Sequence, residues 1–140
     1  MNLKTIVYID DRLDGNLTHF EVVTLHRLRD ELGGDFNVVG LDPQQALEYF
    51  EEAKISPDLI ICDHNLWWNK NEDDSYEYGY QLISRLQEMH HELPPVIIFS
   101  DSISPGIEWE RAGVEHERFV PKKRGELDKL VRAVYEYINV

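Results

Sequence analysis

Five short apolar runs, each separated from the next by a stretch with helical spacing, constrain this chain more than any other feature. Thr5–Ile9 (TIVYI), Phe36–Leu41 (FNVVGL), Pro57–Cys62 (PDLIIC), Pro95–Phe99 (PVIIF) and a shorter run at Arg118–Pro121 read as strands. Continuous apolar, β-branched runs suit strands covered on both faces. After the first, Leu17, Phe20, Thr24, Leu28 and Leu32 trace one helical stripe that Gly33–Gly34 stops. Asp42–Pro43 supplies an N-cap and a first-turn proline for a helix burying Ala46, Leu47, Phe50 and Ala53. A third helix is predicted over Gly79–His91, with Leu82, Ile83, Leu86 and Met89 inward, and a short fourth over Pro105–Ala112. The last places Leu127, Leu130, Val131, Val134 and Ile138 on one stripe. Such alternation implies parallel pairing through right-handed crossovers, hence helices on both faces of the sheet. The expectation is one doubly wound α/β domain over residues 1–140, a five-stranded parallel sheet flanked by five helices. Trp67–Tyr78, polar and acidic with interspersed aromatics, carries no clean period and is expected to be an extended loop.

Composition narrows the function classes. At 140 residues the chain suits a single domain, since these commonly run about 100–150 residues. The 27 acidic against 14 basic residues give a net charge of −13, which repels phosphate backbones and anionic membranes. Neither nucleic acid nor a membrane is therefore an expected partner; the one basic cluster is Lys122–Lys123–Arg124. A single cysteine, Cys62, excludes an internal disulfide framework and a cysteine-based zinc site, and reads as a small core residue. With no signal-peptide pattern and no run of 18 apolar residues, a cytoplasmic protein is expected.

Ligands of doubly wound folds bind beyond the carboxyl ends of the strands. There the first run is followed by Asp10–Asp11, the third by Asp63, the fourth by Ser100 and the fifth by Lys122. Like charges about 4 Å apart repel by roughly 4 kcal/mol at an effective dielectric near 20. Three clustered acids therefore need a cation or a raised pKa to coexist. All-oxygen ligation with open positions favours Mg²⁺, and a lysine opposite it would hold an anion from the other side. A carboxylate nucleophile, a divalent metal, a lysine and a hydroxyl together make a site for an acyl phosphate.

Asp10–Asp11, Asp63, Ser100 and Lys122, in this order after strands one, three, four and five, resemble the receiver domain of two-component response regulators, over essentially the whole chain. The resemblance implies strand order 2-1-3-4-5, with helices 1 and 5 on one face and 2, 3 and 4 on the other. It implies that Asp63 is the phosphorylated nucleophile, supplied by a histidine kinase or a histidine phosphotransfer protein. It implies Mg²⁺ ligation by Asp11, Asp63 and the backbone carbonyl of Asn65, with Asp10 acting through water. Lys122 would pair with Asp63 at rest and with a phosphoryl oxygen afterwards. Ser100 and Phe119 would be the switch pair, reporting phosphorylation on the face made by helix 4, strand 5 and helix 5. That face would meet a downstream protein or a second copy of the chain. Asn65 and Ser102 fall where the family tunes the lifetime of its phosphoaspartate.

Three departures accompany the resemblance. Asp63 lies sixteen residues before Gly79, about twice the family's usual span, and Trp67 stands where a proline is common. Lys122 is followed by Lys123 and preceded by Pro121, whereas the family lysine usually precedes a cis-proline. Phe119 lacks the hydroxyl of the more common tyrosine. The leading expectation is a receiver, stand-alone or excised from a longer protein, that is no enzyme beyond its own phosphorylation and dephosphorylation. Two readings compete: a phosphorylation-independent binding module of receiver shape, and a small Mg²⁺-dependent phosphohydrolase with an aspartate nucleophile. The aromatic 67–78 segment reads as a solvated loop or as a docking loop, and His64, His90 and His91 as surface residues.

Overall fold

A computed structural model describes residues 3–10, 13, 20–52, 57–69, 75–89, 92–101, 107–114, 118–122 and 127–138, with the backbone alone for 20, 67–69 and 75–77. The elements in order are β1 (Lys4–Ile9), α1 (Phe20–Leu32), β2 (Phe36–Leu41), α2 (Pro43–Glu52), β3 (Leu59–Cys62), β4 (Asn65–Asn69), β5 (Ser75–Tyr78), α3 (Gly79–Met89), β6 (Val96–Ser100), α4 (Ile107–Arg111), β7 (Phe119–Pro121) and α5 (Leu127–Tyr137). Five strands form the main sheet in the order β2-β1-β3-β6-β7, and every pairing in it is parallel. Counting only these five, the order is the expected 2-1-3-4-5.

The apolar runs form the middle of that sheet because both of their faces are covered. Ile6, Tyr8, Leu59, Ile61, Ile97 and Phe99 face one core, closed by Leu25 and Leu28 of α1 and Leu130 and Val134 of α5. Val7, Ile9, Ile60, Cys62 and Ile98 face the other, closed by α2, α3 and Trp109 of α4. The alternation of these side chains across the pleat accounts for runs that show no polar positions. Burying each aliphatic chain stabilises the fold by about 1.5–3 kcal/mol relative to exposure.

Local chemistry sets the helix ends. Asp42 Oδ1 accepts from the Gln45 backbone N–H at 2.8 Å while Gln45 Oε1 accepts from the Asp42 N–H at 3.0 Å, a reciprocal capping box in front of α2. α4 ends in a Schellman motif: Val114 N–H donates to the Trp109 carbonyl at 2.8 Å and Gly113 N–H to that of Glu110 at 2.9 Å. Gly113 takes φ +85°, a left-handed conformation that a side chain would strain.

The segment expected as an extended loop contributes two antiparallel strands, β4 and β5, which pair with each other as a hairpin apart from the main sheet. Asn65 pairs with Tyr78, Trp68 with Tyr76 and Asn69 with Ser75, with a register irregularity between Asn65 and Trp68. Aromatic residues favour paired strands, but runs of four and five residues are too short for a period to declare itself. The hairpin is closed at its base by the Gly79 N–H, which donates to the His64 carbonyl at 2.8 Å. A Cβ at Gly79 would lie 2.0 Å from the Asp63 backbone oxygen, so the chain can return to α3 at this point only with a glycine.

Candidate functional site at the carboxyl edge of the sheet

Parallel pairing in register brings the residues after β1, β3, β6 and β7 to one edge. Ile9 pairs with Cys62 and Ser100 with Pro121, so Asp10 and Asp63 lie side by side and Lys122 follows Ser100 across the neighbouring strand. Backbone bonds pin each one. Asp10 N–H donates to the Leu41 carbonyl at 3.1 Å, Asp63 N–H to that of Ile9 at 3.3 Å, and Lys122 N–H to that of Ser100 at 2.7 Å. Asp10 and Ser100 are fully buried, and Asp63 is 6% exposed.

Lys122 is the centre of the site. Its ammonium donates to Asp10 Oδ2 at 2.5 Å and to Asp63 Oδ2 at 2.9 Å. Burial by itself would lower the pKa of Lys122, but the charges of Asp10 and Asp63 and their hydrogen bonds prevail and hold it well above the ordinary lysine value. A third carboxylate, absent from the expected set, also reaches the ammonium: Glu21 Oε1 of α1 lies 3.0 Å from Lys122 Nζ. The side chain of Glu21 is only 9% exposed, and its Oε2 has no hydrogen-bond partner among the described residues. In the sequence Glu21 sits four and seven residues before Leu25 and Leu28, on the buried stripe of α1, and that placement is its one signal.

Beneath this cluster the Tyr8 hydroxyl is also buried without a partner among the described residues. Burial first, then the negative charges of Asp10, Glu21 and Asp63, push its pKa well above the ordinary tyrosine value. Tyr8 packs edge-on against Phe99, whose ring centre is 5.9 Å from the Lys122 ammonium.

The remaining expected residues are placed as follows. Asn65 is exposed; its N–H donates to Asp63 Oδ1 at 3.1 Å, and its side-chain amide donates to Asp101 Oδ1 at 3.3 Å, which adds an acid at the rim. Phe119 is half-buried in β7 and packs toward the α2–α3–α4 core. Asp11, Ser102 and the turn after Lys122 lie outside the described residues. His64 is no surface histidine. It is half-buried, its Nδ1 accepts from Trp109 Nε1–H at 2.7 Å, and it packs among Tyr78, Tyr80 and Trp109. Burial lowers its pKa despite the opposing charges of Asp63 and Glu108. The accepting Nδ1 fixes the neutral tautomer that carries its proton on Nε2.

The residues present suit a hard divalent cation. Asp10, Asp63 and Glu21 set three carboxylates against one ammonium, an excess of two negative charges in a pocket whose described donors are all oxygen. Among the described residues no ready-made group of three metal ligands occurs, and the expected ligand Asp11 lies outside them.

No protein-family model matches the chain, and no curated protein matches its sequence. Solved structures match its fold. A response regulator receiver protein from Pseudomonas putida superposes with a TM-score of 0.67 over 97% of this chain and 98% of its own, at 19% identity. One from Sinorhizobium medicae gives 0.65 over 99% and 97%, at 18% identity. The N-terminal domain of a response regulator/sensory box/GGDEF protein from Carboxydothermus hydrogenoformans gives 0.67 over 96% and 93%, at 18% identity. The fold is that of response regulator receiver domains, with a hairpin between β3 and α3. No helix among the described residues is long and apolar enough to cross a membrane.

Proposed function

We propose that this chain is a phosphoacceptor receiver whose nucleophile is Asp63. The observation that carries the reading is Lys122, whose side chain is almost fully buried and bonded to both Asp10 and Asp63 at the carboxyl edge of a parallel sheet with receiver strand order. An aspartate oxygen attacks the phosphorus of a phosphohistidine on a kinase or phosphotransfer protein, the P–N bond breaks, and the imidazole leaves with a proton. Water later attacks the acyl phosphate and releases inorganic phosphate. These two steps, both on the chain itself, are its whole enzymology.

The chain's own groups divide the work. Asp63 loses its carboxylate charge on phosphorylation, which frees the Lys122 ammonium to hold a phosphoryl oxygen. The buried Ser100 hydroxyl, on the neighbouring strand, donates to another. Asp10, Asp11, Asp63 and the Asn65 carbonyl would hold Mg²⁺, which supplies charge neutralisation at the transferring phosphoryl group. The switch passes from Ser100 to Phe119 through packing, as Phe119 has no hydroxyl. Its output face comprises α4, β7 and α5, open to a downstream protein or a second copy.

Intact-mass measurement after incubation with Mg²⁺ and a small acyl-phosphate donor tests the reading. One added phosphoryl group, absent without Mg²⁺ and absent from Asp63→Asn, is expected. Cation binding without an adduct, across several donors, would instead indicate a receiver-shaped module that works without phosphorylation.

A further inference from the structure

The proposed phosphoryl chemistry uses Asp63, Lys122 and Ser100 but gives no role to Glu21, which reaches the same ammonium as Asp10 and Asp63. Asp63 Oδ2 and Glu21 Oε1 both lie within about 3 Å of Lys122 Nζ, so they are no more than about 6 Å apart. Glu21 is buried, its other oxygen has no partner among the described residues, and the nearby Tyr8 hydroxyl is not bonded to it. A buried carboxylate is destabilising unless paired, and among the described residues Lys122 is the cation paired with Glu21. Asp10 and Asp63 already contribute two negative charges to that lysine. Glu21 therefore raises the local negative charge where a phosphoryl dianion would have to sit.

We propose that Glu21 is a positioning residue of the phosphoacceptor site: paired with Lys122 from α1, it makes phosphoryl uptake depend on prior binding of a divalent cation. The proposal rests on the receiver reading of Asp63. The third carboxylate attracts the cation and repels the incoming phosphoryl group, so Asp63 is poorly reactive without the cation and is still slowed by the Glu21 charge once the cation is bound. Removal of the Glu21 charge has opposite effects on the two events. A unit charge at about 6 Å, at an effective dielectric near 20, corresponds to tenfold or more in an equilibrium or a rate.

Glu21→Gln keeps the shape and removes the charge; Glu21→Asp keeps the charge on a shorter arm. Mg²⁺ affinity is measured by calorimetry without phosphate, and acyl-phosphate uptake by intact mass across a range of Mg²⁺. Unfolding in metal-free buffer reports folding. For Glu21→Gln the expected result is Mg²⁺ affinity about tenfold weaker, phosphorylation at saturating Mg²⁺ about tenfold faster, and an unfolding midpoint no lower than wild type. Glu21→Asp should lie near wild type in both. A Glu21→Gln protein that loses affinity and rate together, or changes neither, would overturn the proposal while leaving Asp63 as acceptor. A wild-type protein that takes no phosphoryl group in the same assay removes the receiver reading and this proposal with it.

Discussion

Lys122 shows how one side chain organises the site. With three carboxylates around a nearly buried ammonium, its removal leaves like charges facing one another with no other counter-ion among the described residues. Lys122→Met should therefore cost about 3–5 kcal/mol in metal-free urea unfolding, and Mg²⁺ should restore part of that loss. An unchanged midpoint would contradict this role for the ammonium. Because the folded pKa of Lys122 is raised, its contribution is fully present below the ordinary lysine value and is lost only as pH rises through the folded one. Neutral pH thus lies well inside the range where the ion cluster stabilises the fold. At this scale most of the site was legible. Asp10, Asp63, Ser100 and Lys122 each follow an apolar run directly, so strand order alone brings them together. Glu21 was not legible, because an acid on a helix reads as a solvated face until the helix is docked over the sheet.

Among the elements, the helix starts and the five main strands follow from caps, glycines and apolar runs, while the β4–β5 hairpin does not. Its pairing depends on a return of the chain at Gly79 that only tertiary packing reveals, through the near contact with the Asp63 carbonyl. His64 and Trp109 join that region to α4 by a hydrogen bond between residues 45 apart in the chain. Trp109→Phe removes the donor and leaves His64 Nδ1 unmet, with an expected loss of about 1–3 kcal/mol in denaturant unfolding. The lowered pKa of His64 adds a pH signature. Its contribution is present above the ordinary histidine value near 6.5 and is lost as pH falls through the lowered folded value. Thermal stability should therefore decline as the buffer is taken below about pH 6.5, and less so in His64→Gln. A decline of equal size in both proteins would assign it to other groups.

At the scale of the whole molecule, two half-cores on either side of one sheet hold the strand ends in register, and Asp10, Asp63 and Lys122 gather at one edge of it. On the receiver reading, a net charge of −13 would favour cation binding at that edge and make the approach of a phosphoryl donor depend on local neutralisation. The central claim is that Asp63, among the several acids gathered there, is the one that reacts. Reductive trapping tests it most directly. The protein is treated with Mg²⁺ and an acyl-phosphate donor, reduced with borohydride, digested, and sequenced by mass spectrometry. An acyl phosphate at Asp63 predicts homoserine at position 63 and nowhere else, dependent on the metal. Homoserine at Asp10, Asp11 or Asp101 instead, or at no position despite an intact and metal-bound protein, would contradict the account.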